Sequence, residues 1–262
     1  MSAVTNQNPH VDRNTGAAPP PAGPPPLRAV LRLGLLEFLA VIGNLFLVMT
    51  LARWIFHPSS PLGAHLTSLD AKLAAMGIGV GLYVTAAFAI SVRYNTAGQL
   101  NPSVTVGLWA MRLLPGRLVL PFVVAQLAGS VAGVALGRLV WGPKLAEVGY
   151  AGLVRAPGWT WAPVFALEAA FMLVLMLLVV VSLVKPRFGP WLPPLTGAGV
   201  AAQIIWLSTK SGGGGNPARQ FGPGLFSGRT ELLWVYLLAP VVGSLLAGAV
   251  AALTRRPAPH QR

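Results

Sequence analysis

Apolar runs of about twenty residues recur along this chain, each long enough to cross roughly 30 Å of hydrocarbon at 1.5 Å per helical residue. Six can be drawn, over 33–56, 73–94, 118–141, 163–184, 192–207 and 232–253. Of 262 residues, 54% are hydrophobic and 10% are charged, whereas a soluble domain carries about a quarter charged residues. A polytopic, all-α membrane protein follows, with no length left over for a soluble domain.

The remaining segments fit that frame. The start, MSAVTNQNPHVDRNTGAAPPPAGPPPLR, is polar and Pro-rich and lacks the apolar core and cleavage site of a signal peptide. We read 1–28 as a disordered tail, 29–254 as one domain that holds all six spans, and 255–262 as a second tail. A net charge of +13 raises the question of nucleic acid, but Lys and Arg are scattered between apolar runs rather than gathered with aromatics. No nucleic-acid partner is expected. The charge reads as topology instead. Arg28, Arg32, Arg93, Arg112, Arg117, Lys185, Arg187, Arg255 and Arg256 fall on one side of the spans. Arg53, Lys72, Lys144, Arg155, Lys210 and Arg229 fall on the other, offset by Asp70, Glu147 and Glu231. Positive charge favours the cytoplasm, so both termini are placed inside. With no cysteine, disulfides and Cys-ligated metals are excluded; no metal or cofactor is expected.

Two short apolar pieces do not fit as spans: PSVTVGLWAM after Asn101 and PARQFGPGLF after Asn216, each about half the length needed to cross. Each follows a Gly-containing stretch and an Asn-Pro step. The order of span, span, half-helix and span therefore occurs twice, about 33–141 and 163–253, with Glu37 and Glu168 at matching places in the first span of each copy. Three crossings per copy make the second enter from the opposite face, which is an inverted-topology repeat. Half-helices entering from opposite faces meet near the midplane, where non-helical backbone is tolerated only if it is buried in protein or lines a watery cavity. Pro102 and Pro217 take the first helical position, where a missing N–H costs nothing, and Asn101 and Asn216 cap. Each N-terminus carries roughly half a positive charge, which repels cations and protons. Gly98 and Gln99 in one loop, and Gly212, Gly214 and Gly215 in the other, are expected to line the path with carbonyls. Glycines within the spans, such as Gly77 and Gly81, Gly129, Gly133 and Gly137, and Gly243 with Gly248, predict close helix packing.

At these residues the chain resembles the major intrinsic protein family, the aquaporins and aquaglyceroporins, from about 33 to 253. The family's paired Asn-Pro-Ala motifs correspond to Asn101-Pro102-Ser103 and Asn216-Pro217-Ala218, followed by Val104-Thr105 and Arg219; Gln126 and Pro240 also match family positions. One Asn-Pro is a common turn signal, but two in register with two intramembrane Glu and an Arg are specific. The resemblance implies six transmembrane helices plus two re-entrant half-helices, a homotetramer with one pore per subunit, and a passive path for water and small neutral solutes. It also implies that Glu37 and Glu168 accept backbone N–H bonds from the re-entrant loops; a proton-relay role is the alternative for carboxylates at such depth. Arg219 is assigned to a filter that excludes cations and binds a solute oxygen.

The departures from the family pattern concern that filter. Water-specific members have His where this chain has Ile204; the loop position is Gly213, and the second-span position is Gly81 or Val80. The expected filter of Gly81, Ile204, Gly213 and Arg219 is wide and half apolar, suited to glycerol, urea or undissociated boric or arsenous acid. Against glycerol stand Gln220 in place of Asp and the lack of aromatic walls. Ser103 in place of Ala brings a hydroxyl to the midplane, which either affects conduction or bonds back to its own helix. Gln99 stands where many members have His and is placed in the cytoplasmic vestibule, while His57 and His65 read as solvated loop residues. A water-selective channel is the alternative within the family. A coupled transporter shares inverted repeats and broken helices but needs ion-carrying Asp or His pairs at depth, and an enzyme needs clustered His, Asp or Cys. The sequence has neither, and the absence of Cys and of a targeting signal fits a bacterial plasma membrane.

Overall fold

The computed structural model describes residues 25–94, 96 and 98–254. The polar tails, including Arg255 and Arg256, lie almost wholly outside the described residues. The described chain forms α1 (Leu27–Phe56), α2 (Pro61–His65), α3 (Leu69–Tyr94), α4 (Pro102–Ala110) and α5 (Gly116–Trp141) in its first half. After α6 (Lys144–Glu147), the second half forms α7 (Trp161–Val184), α8 (Leu192–Leu207), α9 (Pro217–Ser227) and α10 (Leu233–Thr254). Five of these, α1, α3, α5, α7 and α10, are long and apolar enough to cross a membrane. The remaining crossing, α8, has 16 residues and is extended at its start by the 3₁₀ segment Pro186–Trp191, where two prolines interrupt α-helical hydrogen bonding. The fold is all-α, with six crossings and two half-helices.

The spans begin close to where hydropathy puts them, with one physical difference. Helix α1 starts at Leu27, six residues before the apolar run and inside the stretch expected to be tail. Its 30 residues extend about 45 Å, more than the hydrocarbon needs. The first turns therefore stand in the headgroup zone, where Arg28 and Arg32 are exposed.

Packing follows the small residues. Along α5, Gly129, Gly133 and Gly137 face α1 so closely that a Cβ at Gly133 would sit 2.7 Å from Leu45 Cβ and 2.8 Å from Ile42 O. Gly243 of α10 meets Ala169 O of α7 in the equivalent contact of the second half. Helices α3 and α8 join the halves through Gly77 and Gly81, opposite the carbonyls of Ala201 and Gly197. In lipid no hydrophobic force drives helices together, so such backbone approach is what holds the bundle. The half-helices α4 and α9 lodge inside it: α4 packs on α5 and α10, and α9 packs on the same two helices.

Candidate functional site

The two re-entrant loops are locked to one another at the midplane by reciprocal bonds. Asn101 Oδ1 accepts from Ser103 N at 2.9 Å, and Asn216 Oδ1 accepts from Ala218 N at 2.9 Å, so each side chain caps its own half-helix. The amide nitrogens then cross over: Asn101 Nδ2 donates to Gly215 O at 3.0 Å, and Asn216 Nδ2 donates to Leu100 O at 2.9 Å. Those carbonyls are presented by left-handed residues, Leu100 with φ 57° and Gly215 with φ 50°. The glycine takes this conformation without cost; the leucine is held in it by the surrounding bonds. Each Asn amide keeps one N–H proton beyond this knot, and both residues border the lumen.

Each loop is hung on a buried carboxylate. Glu37 Oε1 accepts from the N–H groups of Gly98 and Gln99, the second at 2.7 Å, and Oε2 accepts from Leu100 N at 2.9 Å and Gln126 Nε2 at 2.7 Å. Glu168 Oε1 accepts from Ser211 Oγ at 2.7 Å and Gly214 N at 2.8 Å. Its Oε2 accepts from Gly215 N at 2.6 Å and Gln203 Nε2 at 3.4 Å. Both carboxyls are fully buried, and each is surrounded by four donors.

Two cavities meet along this axis. An outer vestibule of about 420 Å³ is bordered by residues of α1 and α3 and by the loop 147–154. An inner lumen of about 60 Å³ runs past Asn101 and Asn216 to Gln99. Ile204, Gly213 and Arg219 border both, so the junction lies among these three. The Arg219 guanidinium donates through Nη2 to Ala151 O at 2.8 Å, while its buried Nη1 has no hydrogen-bond partner among the described residues. Gly149, Tyr150 and Ala151 all have positive φ, between 49° and 58°, in the turn that presents that carbonyl.

Several sequence expectations are corrected here. Gly81 faces Gly197 O across the α3–α8 contact and borders neither cavity, whereas Val80 lines the lumen, with Met76 one turn outward on the vestibule. Gly98 turns its N–H to Glu37 and its α-carbon toward Ser91, so it does not line the lumen. Gly212 borders the outer vestibule, and Gly214, Gly215 and Gln99 border the lumen. Pro102, Pro217, Ser103 and Ala218 are buried or nearly so behind the wall. The Ser103 hydroxyl lies 2.7 Å from Asn101 Oδ1 and 3.3 Å from Gly215 O, so it bonds within the knot. His57 is buried rather than solvated: its Nε2 lies 2.8 Å from Glu147 Oε2, and its Nδ1 accepts from Ser59 N at 3.1 Å. His65 meets Pro61 O, at the exposed end of α2.

Some wall residues carry no motif. Asn44 of α1 lines the lumen, is 4% exposed, and its Oδ1 has no hydrogen-bond partner among the described residues. Gln203 borders the same lumen beside Glu168. The sequence signal for Asn44 is a lone amide in an apolar run two helical turns after Glu37.

Comparison with known proteins agrees with this geometry. Probable aquaporin AqpM of Archaeoglobus fulgidus is 34% identical over 180 residues, covering 66% of this chain and 73% of that protein. Aquaporin TIP4-1 of Zea mays is 33% identical over 187 residues, covering 71% of this chain and 70% of its own length. The fold resembles the crystal structure of the aquaglyceroporin from Plasmodium falciparum, with a TM-score of 0.69 at 22% identity, over 86% of this chain and 100% of that one. The family model for major intrinsic proteins matches residues 28–251. A multi-pass passive channel, not an enzyme, is what these likenesses describe, and the chain belongs to the major intrinsic protein family.

Proposed function

We propose that this channel conducts small uncharged solutes as well as water, with glycerol, urea and undissociated boric or arsenous acid as the class, while excluding ions and protons. The observation that carries the reading is the junction between vestibule and lumen. It is bordered by an aliphatic side chain, a glycine and an arginine, with Val80 just inside. None of these four residues carries an imidazole or aromatic ring, and the rings that line the two cavities, Phe56 in the vestibule and Phe88 in the lumen, each border one cavity and not both; selectivity in such pores reduces to diameter and lining donors. Arg219 serves as a fixed cation with one donor nitrogen turned to no protein group among the described residues, which suits a solute oxygen and repels positive charge. The two capped helix N-termini add a positive potential at the midplane, and the Asn amides supply donors there. Glu37 and Glu168 act as loop anchors, because every lone pair of each is engaged.

Tetrameric assembly, cytoplasmic termini and residence in a bacterial plasma membrane belong to the same proposal, the first resting on family resemblance, the second on the distribution of Lys and Arg, and the third on the absence of Cys. Tracer flux of glycerol, urea and boric acid into proteoliposomes tests the mechanism. A channel gives flux that rises linearly with concentration, is equal in both directions and moves no protons. Saturable uptake that follows a proton or sodium gradient would overturn it in favour of a coupled transporter.

A further inference from the structure

We infer that Asn44 forms a third solute-binding amide of the lumen, giving the midplane a hydrogen-bonding wall on α1 in addition to Asn101 and Asn216. This deepens the solute-channel reading above and rests on it. Asn44 lines the same lumen as both motif asparagines but not the outer vestibule. It lies seven residues, or about 10 Å, along α1 from Glu37, which fixes the first loop. That spacing carries it outward from the loop's anchor toward the level at which the two half-helices meet.

Burial makes the side chain informative. A polar atom removed from water without a partner is costly, and nearly all buried amides find one. Asn44 Oδ1 has none among the described residues, although the residue is 4% exposed. The motif asparagines differ, since each is fixed by a cap and a cross-loop bond that leave only an N–H for the lumen. An amide not fixed in that way turns about its last torsion and offers either its oxygen or its nitrogen. A permeant carrying both donors and acceptors, such as a polyol or an amide, can then donate to Asn44 while it accepts from Asn101 and Asn216. Water needs this wall less, because neighbouring waters in the lumen can bond to one another.

The test is stopped-flow permeability of wild type, Asn44→Leu and Asn44→Ser in proteoliposomes, with water and glycerol measured on the same vesicles. The expected result for Asn44→Leu is a drop of about fivefold in the glycerol-to-water ratio, the factor associated with one neutral hydrogen bond, with Asn44→Ser recovering much of it. An unchanged ratio in Asn44→Leu would overturn the assignment, and an unchanged ratio accompanied by an equal loss of both permeabilities would mark a structural role. Either result leaves the solute-channel reading standing. Absence of glycerol flux in wild type would instead remove that reading, and the binding amide with it.

Discussion

Arg219 is held by a bond to Ala151 O and keeps its other terminal nitrogen without a partner, among the described residues, at the junction of vestibule and lumen. Replacing it with Val removes a buried cation from the path, and cation or proton leak should rise about tenfold by electrometric flux assay. Unchanged ion exclusion would mean that the two helix N-termini suffice. Ile204→His should act in the other direction, narrowing the junction and lowering glycerol flux severalfold relative to water; an unaltered ratio would contradict the width argument. Ser103 gives a contrasting case, because its hydroxyl bonds inside the knot and not into the lumen. Ser103→Ala should leave the glycerol-to-water ratio unchanged and cost about 1 kcal/mol of stability in detergent melting. Residues like Ser103 show where sequence reading stops. Its place beside the motif is legible, but the direction of its hydroxyl depends on a carbonyl in the opposite half of the chain, that of Gly215.

Among the elements, each re-entrant loop hangs on a buried carboxylate. Glu37 and Glu168 each gather donors from one loop and a neighbouring side chain. Glu168→Gln preserves the volume but turns an amide N–H₂ toward groups that are themselves donors. We expect a loss of about 3 kcal/mol or more and much less folded protein on size exclusion. A Gln variant that folds normally and changes only proton movement would support the relay role instead. The half-helices are legible in the sequence because an Asn-Pro step after glycine, followed by an apolar run too short to span, fits a re-entrant segment and little else. Which residue of α3 faces the lumen is not legible in the same way. Gly81 and Val80 are neighbours pointing in different directions, and only the seating of Gly81 against Gly197 O decides between them. His57 reads as solvated for a related reason: its partner Glu147, at the end of α6, lies in a distant part of the sequence.

At the scale of the whole molecule, two copies of one helical device enter from opposite faces and bond reciprocally at the centre, through Asn101 to Gly215 O and Asn216 to Leu100 O. Sequence symmetry foretells that arrangement, since paired Asn-Pro steps and paired intramembrane Glu leave an inverted repeat as the natural solution. It does not foretell how unlike the two halves are. Gln126 reaches Glu37 in the first half, while Ser211 and Gln203 supply the corresponding donors to Glu168 in the second. On the proposed reading, the choice of permeant is made at the junction of vestibule and lumen, where Ile204, Gly213 and Arg219 meet. The most direct measurement is stopped-flow light scattering on proteoliposomes, comparing osmotic water permeability with glycerol, urea and boric acid permeability in one preparation. Fast solute flux with modest water flux is the predicted result; fast water flux with negligible flux of all three solutes would contradict the account.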